Sequence, residues 1–242
     1  MDNDQSSVRN RILRTLLPAD YLLLKPNMRQ VKLDTRQVIE RPHVSVKDVI
    51  FFETGLASII SRLSGGRSIE IALTGREGMT GAAVILGNAD PGHRTIVQVE
   101  GYGISIPADD LIEAMSVSPT LRNVLLSYIH TLLIQTASTV VANGLAKLDK
   151  RLARWLLMIH DRIDGASVAM THEFLAVVLG VRRPGVTVAL HVLEGKGLIK
   201  ASRGQITIVN RSGLELEAGG SYGVAESEYH RLMSHALSRN VP

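Results

Sequence analysis

Thr171-His172-Glu173-Phe174-Leu175-Ala176-Val177-Val178-Leu179-Gly180-Val181-Arg182-Arg183-Pro184-Gly185-Val186-Thr187-Val188-Ala189-Leu190-His191-Val192-Leu193-Glu194 reads as two short helices joined by a tight turn. Thr171 is a good N-cap for the first helix, because its hydroxyl can accept from a free backbone N–H of the first turn. Ala176 is small where a second helix must cross closely. Gly180, four residues on, supplies the positive φ that a tight inter-helix turn demands. Pro184 suits the first turn of the second helix, where its missing N–H costs nothing. Val181, Val186, Leu190 and Leu193 then seat that helix on the first, and Gly195 and Gly197 close it.

The edge left free by this packing carries the chemistry. Arg182 and Arg183 fall at the N-terminus of the second helix, where an inserted helix meets phosphates and base edges. Gly185, Thr187, Val188 and His191 follow on expected outward positions. Arg183 has the donors for a bidentate contact with guanine, and Thr187 or Val188 the apolar surface for a thymine methyl. Residues 198–208 read as strand, turn, strand: a wing that brings Lys200 and Arg203 to the DNA backbone. With Thr171 these are the candidate DNA-binding residues. A three-helix packing unit that binds no nucleic acid would share the Ala–Gly–apolar spacing. It would not require the arginine pair, the wing and a local charge excess together. From Lys147 to Arg211 there are eleven Lys and Arg against five Asp and Glu, whereas the whole chain is +4, so the remainder is net acidic. A basic segment on a near-neutral body is what phosphate neutralisation requires.

Upstream, residues 28–107 read as short strands separated by turns: 28–33, 36–40, 49–52, 56–63, 68–73, 95–99 and 103–107. Ser68-Ile69-Glu70-Ile71-Ala72-Leu73 alternates with the period of a half-buried strand. Ser64-Gly65-Gly66-Arg67 is a hairpin signal. After Pro107 a short helical piece at 109–115 is followed by a long helix from Pro119 to a hinge at Asn143-Gly144. That helix is apolar on two faces and must bury both. We assign one face to the chain's own sheets and the other to the same helix of a second copy, with Leu121, Leu125, Tyr128, Leu132, Gln135 and Thr139 at the interface. A second helix carries Leu145, Leu148, Leu152, Trp155, Leu156 and Ile159, and the tail is expected to form one helix over 224–237. The expected domains are 1–118, a β-rich sensory unit; 119–144, dimerisation helix and hinge; 145–215, winged helix-turn-helix; and 216–242, a tail.

Composition removes other classes. The absence of cysteine excludes disulfides, thiolate-held zinc and iron–sulfur clusters, and suits a cytoplasmic location. The polar start MDNDQSSVRNR is no secretory signal. Residues 123–146 lack Asp, Glu, Lys and Arg, but their Ser, Thr, Asn, Gln and His would each need a partner in lipid, so no membrane span is expected. No Gly-x-Ser-x-Gly, phosphate loop or dinucleotide fingerprint is present, and the eight histidines lack metal-ligand spacing, so neither an enzyme nor a metal site is expected.

With these pieces in order, residues 16–214 resemble the Crp/Fnr family of bacterial transcription regulators, above all at 171–194 and at Thr74-Gly75-Arg76-Glu77-Gly78-Met79-Thr80-Gly81. The resemblance implies an α+β chain: an N-terminal antiparallel β-roll like a cyclic-nucleotide-binding domain, a long dimerisation helix and a C-terminal winged helix-turn-helix. It also implies a homodimer whose recognition helices enter successive major grooves of an inverted repeat, with RNA polymerase as a candidate further partner. The family's nucleotide binders use a Gly-Glu and an Arg-Ser pair. Here Arg94-Thr95 matches the second, while Gly78 is followed by Met79 with no carboxylate for the ribose. Gly78, Met79, Arg94 and Thr95 are therefore the candidate effector pocket, tight cyclic AMP binding is not expected, and no cofactor is assigned. Pro184 and Val188 stand where the nucleotide-responsive members carry Glu and Arg, which implies a different operator. Haem on His43 or His93 is the weaker reading; both are expected at the surface.

Overall fold

A computed structural model describes residues 4–238. Two short helices, α1 (Arg11–Thr15) and α2 (Pro18–Leu24), lead into strands β1 (Arg29–Leu33), β2 (Val38–Glu40), β3 (Asp48–Phe52), β4 (Leu56–Arg62) and β5 (Ser68–Thr74). A single turn, α3 (Ala82–Ile85), precedes β6 (Arg94–Val99) and β7 (Gly101–Pro107). Helices α4 (Ala108–Val117), α5 (Pro119–Leu145) and α6 (Leu148–His160) follow. The C-terminal part runs β8 (Ser167–Ala169), α7 (His172–Leu179), α8 (Arg183–Gly195), β9 (Ile199–Ser202), β10 (Gln205–Ile208), α9 (Arg211–Ala218) and α10 (Val224–Ser238).

The first seven strands make two antiparallel sheets, β1-β7-β3 and β2-β6-β4-β5, which pack as a roll around Leu33, Phe52, Ala57 and Val97. Arg62 pairs with Ser68 across the expected hairpin, and Gly66 turns it at φ +86°. Helices α1–α3 and α9 and strand β8 lie outside the sequence expectations: at three to eight residues each, they carry too few periods to betray a helix or strand.

Helix α5 corrects the proposed interface. Leu121 and Leu125 are fully buried in the chain's own core, and Tyr128 is 3% exposed. The Tyr128 hydroxyl donates to the Met79 carbonyl at 2.9 Å and accepts from the Met79 N–H at 3.1 Å. Gln135 Oε1 accepts from Leu73 N–H at 2.7 Å, and Thr139 Oγ1 is 3.3 Å from Arg154 Nη2. With Leu132 half-buried beside them, this stripe faces the roll and α6, not a partner. The sheet edge exposes backbone donors that only the polar members of the stripe can satisfy, which is why Tyr128 and Gln135 lie there. The surface stripe is instead Leu126, Leu133, Ala137, Val140 and Gly144, with Leu133 and Val140 63% and 64% exposed. By length and composition α5 could cross a membrane, though its inner face is consumed by these contacts. Nor does the helix stop at Asn143-Gly144: it continues to Leu145, and Ala146 turns extended at φ −95°, ψ 145°. A Gly in a helix costs only ~1 kcal/mol, which tertiary packing overrides.

The expected tail helix, α10, returns along a flank of α5. Met233 and Ala236 enter the core, and Tyr229 donates to the Glu77 carbonyl at 2.8 Å.

The C-terminal unit is held against the roll. Trp155 Nε1 of α6 donates to Glu70 Oε1 on β5 at 2.8 Å, while Ser58 donates to the other oxygen. Arg162 and Glu77 form a buried ion pair at 2.7 Å, and Asp164 takes Arg9 at 2.7 Å and Arg76 at 3.0 Å. Burial raises the Glu70 carboxyl to about 7, against the bonds from Ser58 and Trp155 that favour its charged form. A carboxyl raised in the native state favours folding while protonated, so that advantage is lost as pH climbs from the ordinary carboxylate value toward 7. Urea unfolding followed at Trp155 between pH 5 and 8 should show the wild type losing stability relative to Glu70→Gln as pH rises. A difference that stays constant across this range would contradict the assignment.

Candidate nucleic-acid interface

The two helices of residues 171–195 form as their residues dictate. Thr171 caps α7, its hydroxyl accepting from Phe174 N–H at 3.2 Å. Gly180 ends it in the left-handed region at φ +62°, after which Arg182 is extended and Pro184 enters the first turn of α8. The helix axes bend by 98°. Leu175, Val178 and Leu179 meet Val186, Ala189, Leu190 and Leu193 in one core, and Trp155 packs on Phe174 with ring centroids 6.4 Å apart. The Arg151 guanidinium donates to the Leu179 carbonyl and ties α6 to the end of α7.

This packing leaves one edge of α8 in solvent. Arg182, Arg183, Val188 and His191 are exposed, as are Lys200 and Arg203 on the wing. The wing is a three-stranded sheet, β8-β10-β9, with Lys200 opposite Thr207 and Gly204 at φ +75° in its turn. Between α8, the start of α7 and the wing turn runs a groove of about 740 Å³ that includes Arg183, His191 and Arg203.

Two expected outward residues point elsewhere. Gly185 is half-buried, and a Cβ there would lie 3.3 Å from Leu148 of α6, so this position serves close approach of helices. Thr187 is half-buried too, its Oγ1 sharing a hydrogen bond with His172 Nδ1 at 3.1 Å. Thr171 is exposed, but its hydroxyl is spent on the cap. Sequence reasoning missed His172 and Glu173. Glu173 Oε1 lies 2.8 Å from Arg183 Nη1, an ion pair across the two helices that their ten-residue separation does not announce.

The effector residues are not brought together. Gly78 abuts Tyr128, whose hydroxyl would stand 2.6 Å from a Cβ there, and Met79 is 1% exposed. Thr95 is fully buried and donates to Glu40, while Arg94 of the same strand faces solvent. Glu40 Oε1 also accepts from Gly81 N–H at 2.8 Å, and His93 lies 3.6 Å from its other oxygen. Burial disfavours the Glu40 charge, but His93, Thr95 and Gly81 outweigh it and hold the carboxyl below its ordinary value. The chain's own carboxylate thus takes the donors beside Thr95. Among the described residues no three His, Asp or Glu are grouped to hold a metal.

A Cβ on Gly180 would lie 2.8 Å from Ile69 Cδ1, the tip of a side chain that can shift, so the lasting penalty is its φ of +62°, which branched residues tolerate least. Gly180→Val should destabilise the protein by about 1–3 kcal/mol in urea unfolding, and Gly180→Asn by less because Asn tolerates this φ. Equal costs for the two would contradict the backbone argument.

Residues 150–217 match the family model of the Crp-like helix-turn-helix domain. A search of curated protein sequences returns no match. Among solved structures the chain is similar to a protein described as a transcriptional regulator of the Crp/Fnr family from Eubacterium rectale, at 21% identity, TM-score 0.68, and 87% and 98% coverage of the two chains. It is also similar to FixK2 from Bradyrhizobium japonicum, at 17%, 0.69, 80% and 98%. A CRP-family transcriptional regulator from Thermus thermophilus aligns at 18%, 0.65, 80% and 98%. The chain has the fold of a Crp/Fnr-type transcription regulator, with a Crp-like helix-turn-helix DNA-binding domain at residues 150–217.

Proposed function

We propose that the protein is a sequence-specific, cytoplasmic transcription regulator that binds an inverted-repeat operator as a homodimer and performs no catalysis. The observation that carries this reading is the solvent-facing edge of α8, where Arg182, Arg183, Val188 and His191 stand clear of the core beside a basic wing. Arg183 reads a guanine, Val188 packs on a thymine methyl, and Lys200 and Arg203 neutralise phosphates. Arg183 must leave Glu173 to do so. Both side chains are more than 60% exposed, and such a pair holds only ~0–1 kcal/mol, less than a bidentate guanine contact returns.

The second copy docks along Leu126, Leu133, Ala137, Val140 and Gly144, whose spacing of seven, four, three and four residues is that of a helix–helix seam. Ala137 and Gly144 let the helices approach. Recognition helices related by this two-fold axis reach half-sites roughly 34–36 Å apart.

The test is fluorescence anisotropy on duplexes selected from a random pool. An inverted repeat should emerge, with affinity falling steeply as salt rises. Arg183→Ala should cost about 1–3 kcal/mol and relax preference at one base pair, whereas Lys200→Ala should weaken all duplexes alike. Glu173→Gln should tighten binding by freeing Arg183. Equal, weak affinity for every duplex at low salt would end the reading. Leu133→Glu should convert dimer to monomer in sedimentation velocity without loss of fold, and an unchanged sedimentation coefficient would refute the seam.

A further inference from the structure

A cleft of about 760 Å³ lies between the outer face of the β2-β6-β4-β5 sheet and the helix-turn-helix. It adjoins the Glu40 site through His93 and meets the groove beside α8 at Thr171 and Gly204. Its size is that of small-molecule pockets, which occur preferentially where domains meet. Its floor is apolar: Ile60 and Ile96 from the sheet face Met170, Phe174 and Val177 from the winged domain. The rim carries Arg36, Arg62 and Arg94, with His43 3.5 Å from Asp90 and His93 3.6 Å from Glu40, and no Asp or Glu itself lines the cleft. None of the three guanidiniums has an ion-pair partner among the described residues. Gln98 also lines the cleft; it is 92% buried, and its Nε2 has no hydrogen-bond partner in the chain.

An unpaired buried amide beside an apolar floor, under three solvent-facing arginines with no acidic partner, offers a ligand a donor, apolar surface and positive charge together. We propose that this cleft binds an anionic amphiphile, a small molecule with a carboxylate or phosphate-ester head on an apolar body. The body lies on Ile60, Ile96 and Phe174, the head meets Arg62 and Arg94, and Gln98 donates to an acceptor on the ligand. Because Phe174 belongs to α7, a bound molecule touches both halves of the chain. The assignment concerns the cleft alone and holds whether or not α8 reads DNA.

Trp155 is the chain's single tryptophan, and Phe174 separates it from the cleft at 6.4 Å, ring to ring. Anilinonaphthalene sulfonate titrated into the full-length protein, with excitation at Trp155, should give saturable sensitised emission. Decanoate and decyl phosphate should displace the probe, the tighter of the two identifying the head group, while uncharged decanol should not. The double variant Arg62→Ala/Arg94→Ala should keep the wild-type Tm and bind the probe about tenfold more weakly, and Gln98→Leu should weaken the anions while leaving the fold intact. Unchanged probe affinity in the double variant, or displacement by decanol as effective as by the anions, would overturn the proposal.

Discussion

Two buried carboxylates hold this molecule in its shape. Glu70 takes the Trp155 indole, and Glu77 takes the Arg162 guanidinium, each from a neighbouring element of the winged unit. Neither contact is cheap to make, since burying a carboxyl group, whether ion-paired as Glu77 or hydrogen-bonded as Glu70, costs desolvation close to what its partner returns. What such contacts provide is register. An unpartnered Glu70 or Arg162 in that interface would be strongly unfavourable, so α6 has one acceptable position on the roll. Breaking one partner is therefore more damaging than replacing both.

From that register the rest follows. With α6 set by Trp155 and the turn after it by Arg162, Arg151 fixes the end of α7, and the 98° bend at Gly180 delivers α8 with its arginine edge to solvent. The same placement opens the cationic cleft on the other side of α7. One docking geometry thus positions both the candidate nucleic-acid surface and a pocket that spans the two halves. Inside the roll, Glu40 occupies donors of Gly81 and Thr95 with a charge of the chain's own. An external anion there would have to displace a buried, hydrogen-bonded carboxylate.

Helix α5 divides its apolar surface by chemistry rather than by hydrophobicity. Tyr128 and Gln135 satisfy backbone groups of residues 73–79, so their face turns inward, and the plainer Leu126–Leu133–Val140 stripe turns outward. The tail helix α10 lies along a third flank and stitches Tyr229 to residue 77 of the roll.

The helix-turn-helix was legible in the chain because its determinants are local: a capping threonine, a glycine where φ must be positive, a proline in a first turn and apolar residues at helical spacing. The strands, the hairpin at Gly65-Gly66 and the tail helix were legible for the same reason. What no local pattern could decide was which of two apolar stripes on α5 meets its own sheets, since both satisfy the same period and only the hydrogen-bonding needs of a distant edge separate them. Nor could it place Thr187 against His172, Arg183 against Glu173, or Thr95 against Glu40 rather than beside Arg94 in a shared pocket. Those pairings join residues ten to fifty-five positions apart. The sequence by itself determined which elements form and which carry charge; tertiary packing decided which side chains remain free to act, because freedom depends on partners that arrive from elsewhere in the chain.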